Sequence, residues 1–354
     1  ISLGLVGSEM CIRDSCWNSN AAICTQLPID TDRPMNNPLK TLLRLLPVVC
    51  LLCCTVTLHA QRVDTVEVFS PSMRKPVKNL VITPADYDRQ PGKRWPVVYL
   101  LHGYNNRYDG WLRKTKPELP ASATAFGMIF VCPDGAASWY WDSPVDSLSR
   151  YETYVSRELT AWVDSHYRTV ADPGGRAVTG YSMGGHGALW LAFRHPDLFG
   201  ACGSMSGGVD FRPFPQNWKI REQLGEYADN PQRWEEHTVL SQLYRVAPVT
   251  DRSREVATGR PAPTDYTTEP GQLAIIIDCG TEDYFYEVNR TLHERMTYFH
   301  IAHDYIVRPG SHTHAYWRKA VDFHLLFFRR FFDEQAARRQ AAAETEPRTH
   351  AASR

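Results

Sequence analysis

The chain alternates short, uninterrupted apolar runs with longer segments whose apolar residues recur every three or four positions, a pattern of buried strands separated by amphipathic helices. Uninterrupted runs fall at residues 95–101, 128–132 and 273–279. Strands of this kind are covered on both faces and belong to the interior of a parallel sheet. Arg176-Ala177-Val178-Thr179, the stretch from Phe199 to Ser206, and Asp304 to Arg308 read as three more strands, while 63–70 and 80–84 read as antiparallel edge strands leading into the sheet. Tyr151, Tyr154, Val155, Leu159, Trp162, Val163 and Tyr167 share one helical face, residues 185–194 form a helix with an apolar face, and 316–332 form a final amphipathic helix. The expected architecture is α/β, a mostly parallel central sheet with helices on both faces.

The same pattern divides the chain. One catalytic domain is expected over 61–333, with a lid-like insert over 208–272 that contains Trp218, Tyr227, Trp234 and Tyr244 and ends in a Pro- and Thr-rich loop. Residues 334–354, rich in Ala, Arg and Glu, either prolong the last helix or fray. Residues 1–34 resemble a translated adapter fragment and carry no weight in the fold. From Met35 the chain reads as a signal peptide, with Lys40, an apolar core over 42–58 and a small residue at Ala60. That core is short for a membrane span, so no stable anchor is expected. Cleavage near Ala60 would deliver a periplasmic or secreted protein.

Chemistry enters at Gly180-Tyr181-Ser182-Met183-Gly184, which lies between a short β-competent segment and a helix. Strand, sharp turn and helix around G-x-S-x-G make a nucleophile elbow, in which glycines are needed because side chains two residues from the serine would collide across the turn. A serine needs a base, and the base a group that orients it. Asp283 lies just past the run 273–279, and His312 and His314 lie on the loop after 304–308. In this order Ser182 is the nucleophile, His312 the general base and Asp283 its orienting carboxylate. The backbone N–H of Met183, and that of Tyr104 after the run 95–101, are the expected oxyanion donors.

These blocks carry a resemblance. Val97-Val-Tyr-Leu-Leu-His-Gly, Cys132-Pro-Asp-Gly, Gly180-Tyr-Ser-Met-Gly-Gly, Cys279-Gly-Thr-Glu-Asp and Gly310-Ser-His-Thr-His-Ala-Tyr-Trp together resemble the esterase D-like carboxylesterases of the α/β-hydrolase fold. That group includes tributyrin-type, feruloyl and acetylxylan esterases, S-formylglutathione hydrolase and the mycolyltransferases. The resemblance implies a serine esterase without a cofactor, acting on short-chain esters or on acetyl or feruloyl esters of carbohydrates. Acyl transfer of the mycolyltransferase kind, or a catalytically inactive binding protein on the same fold, are its alternatives. It aligns His312 rather than His314 with the catalytic histidine; His314 stands where relatives often carry an aromatic residue.

Composition narrows the partners. Lys plus Arg and Asp plus Glu are equal at 39 each, without a basic stripe, which argues against nucleic acid. Beyond the leader, Cys132, Cys202 and Cys279 remain, each in an apolar run, and read as buried thiols. Beyond the leader there is no C-x-x-C spacing and no H-E-x-x-H, so no metal is expected. Trp139, Tyr140 and Trp141 are candidate substrate-binding residues: three adjacent aromatics should leave at least one ring facing solvent or a cleft, unless they wedge the loop against the sheet. Arg176 is expected to face solvent and Asp134 to stabilise a turn.

Overall fold

The computed structural model describes residues 61–248 and 272–345. The leader to residue 60, the second part of the insert and the last nine residues, with the expectations attached to them, lie outside the described residues. Eight strands, β1 Val63–Ser70, β2 Lys75–Ile82, β3 Val97–Leu101, β4 Ile129–Pro133, β5 Arg176–Tyr181, β6 Ala201–Met205, β7 Ala274–Gly280 and β8 Asp304–Arg308, form one sheet. Their order is β1-β2-β4-β3-β5-β6-β7-β8. β1 and β2 pair antiparallel, as does β2 with β4, and every pairing from β4 onward is parallel.

The continuous apolar runs become the central strands because both faces of the sheet are covered. Val97, Tyr99 and Leu101 enter one apolar cluster, whereas Val98 and Leu100 enter the other. The elbow helix Met183–Arg194 supplies Leu189, Leu191 and Phe193 to the first layer. The terminal helix His314–Thr345 supplies Val321, Leu325, Phe328 and Phe332 to the second. The aromatic stripe from Tyr151 lies on a helix over 151–166, with a π-helical stretch at Tyr154–Leu159, and joins the first layer.

Two expectations change, and one alternative is decided: the tail prolongs the terminal helix past 332 to Thr345. β2 begins at Lys75, five residues before the expected start, since Pro76 and the exposed lysines around it are tolerated beside the edge strand β1. Arg176 does not face solvent: at the start of central β5 it is 3% exposed, donating to Asp164 at 2.7 Å and to the Leu198 carbonyl at 2.9 Å. A strand with neighbours on both sides and helices on both faces offers no wet side. Cys132, Cys202 and Cys279 are buried and free, and burial pushes each thiol pKa up, so none carries thiolate character at neutral pH. Among the described residues, no helix is long and apolar enough to cross a membrane.

Candidate active site

Ser182 sits between β5 and the elbow helix at φ 58° and ψ −122°, a strained conformation for a residue with a side chain. The turn is held by backbone bonds: Ser182 N–H donates to the Met205 carbonyl at 2.9 Å, and its own carbonyl accepts from His186 N–H at 3.0 Å. The flanking glycines are sterically required. A Cβ on Gly180 would lie 2.5 Å from the Gly184 carbonyl carbon, and one on Gly184 would lie 2.3 Å from the Leu101 carbonyl oxygen.

β7 and β8 end at the same edge and deliver the partners. His312 Nε2 lies 2.9 Å from Ser182 Oγ, and its Nδ1 lies 2.8 Å from Asp283 Oδ2 and 3.0 Å from Oδ1. With Nδ1–H donating to the carboxylate, Nε2 is left to accept the serine proton. Asp283 is held in turn by Phe285 N–H, which donates to Oδ1 at 2.8 Å, and its side chain is fully buried. The imidazole is boxed by rings, with Tyr284, Trp317 and Phe285 centroids at 4.2, 4.8 and 5.5 Å. His314 points elsewhere: its Nδ1 is 2.9 Å from Thr115 Oγ1, and burial, then Lys114 and His312, lower its pKa.

Of the expected oxyanion donors, Met183 opens the elbow helix, where first-turn N–H groups have no carbonyl one turn back. The segment carrying Tyr104 runs beside Ser182, since a Cβ on Gly103 would lie 3.2 Å from Ser182 Cβ. His102, 1% exposed, fixes this segment: it accepts Gly135 N–H at Nε2 (2.8 Å), which leaves Nδ1–H to donate to the Gly103 carbonyl (2.9 Å). Asp134 plays its expected turn role by accepting Ala136 N–H at 2.9 Å.

Trp139, Tyr140 and Trp141 do not meet the expectation of an outward-facing ring: they are 1%, 0% and 0% exposed. Trp139 and Tyr140 adopt left-handed φ values of 58° and 63°, which re-aims successive side chains and lets one loop send all three inward. Their polar atoms brace the site. Tyr140 Oη donates to the His102 carbonyl at 3.1 Å, under the Tyr104 segment, and Trp141 Nε1 donates to His186 Nε2 at 2.9 Å, on the elbow helix. Trp139 Nε1 lies 3.4 Å from the Trp218 carbonyl. These rings are the wedge, not the cleft.

Ring surface beside the site comes instead from Tyr284, half exposed against His312, with Trp218 stacked on it at 5.8 Å and 18°. Sequence reasoning passed over Tyr284, although its place directly after Asp283 obliges it to lie near the histidine that Asp283 holds. Within the described part of the insert, Phe211, Trp234 and Leu243 are buried in the first core layer, while Tyr227 and Tyr244 are exposed. Among the described residues, no cluster of His, Cys, Asp and Glu is arranged to hold a metal ion.

Comparison with known proteins converges on one group. The family model "Esterase", described as "Putative esterase", matches residues 70–328. Esterase Rv1288 of Mycobacterium tuberculosis is 36% identical over 137 residues, covering 37% of this chain and 29% of that protein. Diacylglycerol acyltransferase/mycolyltransferase Ag85A of Mycobacterium leprae is 33% identical over 164 residues, 42% of this chain and 44% of that protein. The matches thus span under half of these relatives. Among solved structures, a ferulic acid esterase superposes with a TM-score of 0.63 at 24% identity, over 77% of this chain and 99% of that one. An S-formylglutathione hydrolase from Staphylococcus aureus gives 0.60 at 18% identity, over 76% and 99%. These likenesses are of fold, the α/β-hydrolase fold with its mostly parallel sheet. The family match over 70–328 covers most of the sequence, and the chain belongs to the Esterase family.

Proposed function

We propose that this chain is a serine esterase that cleaves carboxylic esters through an acyl-enzyme on Ser182. The observation that carries the reading is the relay at the elbow: a strained serine 2.9 Å from His312 Nε2, whose Nδ1 is 2.8 Å from buried Asp283. His312 takes the Ser182 proton as Oγ attacks the ester carbonyl carbon. The carbonyl oxygen, now negative, is received by the N–H groups of Met183 and Tyr104, which are fixed in place before the reaction and need no reorganisation. The C–O bond to the alcohol then breaks, and His312 gives its proton to the departing oxygen. Water follows the same route in reverse, attacking the acyl carbon with its proton passing to His312 and freeing the acid and Ser182. Asp283 stays ionised throughout and stabilises the imidazolium.

The test uses initial rates of the full chain on p-nitrophenyl butyrate and methyl ferulate, with Ser182→Ala as the blank. Rates are expected to fall by at least about 10³-fold in the variant, together with loss of labelling by a fluorophosphonate probe. Labelling that survives the substitution overturns the nucleophile assignment. Adding a sugar or glycerol acceptor separates hydrolysis from acyl transfer, which would appear as a new ester product. Export is carried by residues 35–60 alone; a mature N-terminus at Gln61 in a periplasmic or secreted fraction is the expected result.

A further inference from the structure

β1 and β8 end the sheet, and they differ in what they offer a second strand. β1 carries Asp64 and Glu67 and no basic residue, so a second copy brought edge to edge there meets acid with no matching cation in the strand. β8 holds no lysine or proline within Asp304–Arg308, and among the described residues no strand pairs with its outer side. Thr281 N–H donates to the Arg308 carbonyl at 3.0 Å, so the backbone groups of Arg308 face β7. Backbone groups alternate along a strand, which turns those of Tyr305 and Val307 outward. An outward row of N–H and C=O groups is a template for another strand.

The side chains select the strand that fits. Let two copies of β8 run antiparallel with Tyr305 opposite Val307 of the second copy. These residues then exchange both backbone bonds, Ile306 meets its own copy at the two-fold axis, and Asp304 stands opposite Arg308 on each side of that axis. A shift by two residues, the smallest that keeps the outward groups in line, sets Asp304 against Ile306 or Gly310 and Arg308 against Ala302 or Ile306. The strand is therefore self-complementary in charge in the first register. Neither charge is satisfied within the chain. Asp304 is exposed with no lysine or arginine paired to it among the described residues, and Arg308, which pairs with Asp278, keeps an Nε–H without an acceptor. Tyr305 against Val307 is an aromatic and β-branched pair, favourable across strands. Apolar surface flanks the edge: Val307, Phe323 and Leu326 are 38%, 45% and 47% exposed, and the Phe323 ring lies 4.5 Å from the Arg308 guanidinium, with Leu326 one turn further on.

We propose that β8 is a dimerisation edge, on which a second copy of this chain pairs antiparallel about Ile306 and joins two sheets into one. Sedimentation equilibrium of the full chain in the micromolar range should give a dimer. Val307→Pro deletes an outward N–H that β7 does not use, and Asp304→Lys sets a lysine against Arg308. Each should raise the dissociation constant at least about tenfold, with unchanged far-ultraviolet circular dichroism as the check on folding. In the wild-type dimer the Tyr305 and Val307 amides should resist hydrogen exchange and lose that protection on dilution. A monomeric wild type, a dimer that neither variant weakens, or amides that exchange freely within the dimer overturns the pairing. A dimer lost in Val307→Pro but untouched in Asp304→Lys overturns the register. Because Asp304 is exposed, Asp304→Lys keeps the test open if Val307→Pro fails to fold.

Discussion

A Cβ placed on Gly184 would meet the Leu101 carbonyl oxygen at 2.3 Å and its carbon at 2.6 Å, and both are backbone atoms that cannot rotate away. Relief must come from moving the elbow helix off β3, which displaces Ser182 from His312. Gly184→Ala should therefore lower stability by about 1–3 kcal/mol, as overpacking does, and cost about 100-fold in kcat/KM through misplacement of the nucleophile. Gly92→Ala is the control, since nothing lies within 4 Å of its added methyl. Urea midpoints and esterase rates on both variants check this, and a Gly184→Ala enzyme as stable and active as the control would contradict the steric account. The elbow was legible in the sequence for this reason: a tight turn constrains residue identity at fixed offsets, and glycine is the visible result. The loop at 136–144 was not legible, because an aromatic residue does not announce a left-handed φ. The assumption that adjacent side chains must diverge failed at Trp139 and Tyr140 for that reason alone. Tyr284 escaped notice because exposure depends on what packs nearby, not on the residue itself.

At the scale of elements, the proposed catalytic residues depend on how β7, β8 and the terminal helix are tied at the carboxyl edge of the sheet. Asp278, near the end of β7 and fully buried, accepts from Tyr316 Oη on the helix and pairs with Arg308 on β8. Burial raises its pKa, and the Tyr316 hydrogen bond and the Arg308 charge, which favour the carboxylate, offset that only in part. The clamp lies five residues before Asp283 and brackets the loop that carries His312. Tyr316→Phe removes one hydrogen bond to a buried charge and should cost about 1.5–3 kcal/mol of stability, read from the urea midpoint. An unchanged midpoint would mean that Arg308 alone satisfies the carboxylate. The strands of this clamp were readable from their apolar runs, since burial on both faces imposes composition on every position. The clamp itself was not, as nothing in the run 273–279 shows that Asp278 will be met by a tyrosine and an arginine from later elements. The same holds for Arg176, whose burial follows from β5 being central and from Asp164 reaching it from the helix before β5.

Over the described residues the domain is a sheet with an apolar layer on each face, and each layer encloses a histidine of no assigned chemistry. His186 lies in the elbow-helix layer, accepting from Trp141 Nε1 at Nε2 and, in the resulting tautomer, donating from Nδ1 to the Gly208 carbonyl at 3.0 Å. His324 lies in the terminal-helix layer, with Nδ1 2.9 Å from Thr179 Oγ1 on β5. Both are fully buried, and burial pushes each pKa down to about 3. Between about pH 3 and the ordinary histidine value near 6.5, the unfolded chain therefore binds protons that the folded chain refuses. Stability consequently rises with pH across that window and is lost as pH falls through it, by on the order of a few kcal/mol for each histidine at the acid end. Glu152 overlaps only the acid end of this window, because its pKa is lowered to about 2; burial raises it, but hydrogen bonds from His195, Arg194 and Trp190 outweigh that, so its contribution is present above about pH 4.5 and lost as the pH falls from there towards 2. The measurement is the unfolding free energy in urea at several pH values from 4.5 to 7, for wild type and His324→Gln. Removing one such group should flatten the dependence by up to about 1.4 kcal/mol per pH unit between pH 4.5 and 6. A variant whose curve runs parallel to the wild type would show that His324 takes up its proton equally in both states, and the layer would then have to admit water to that ring.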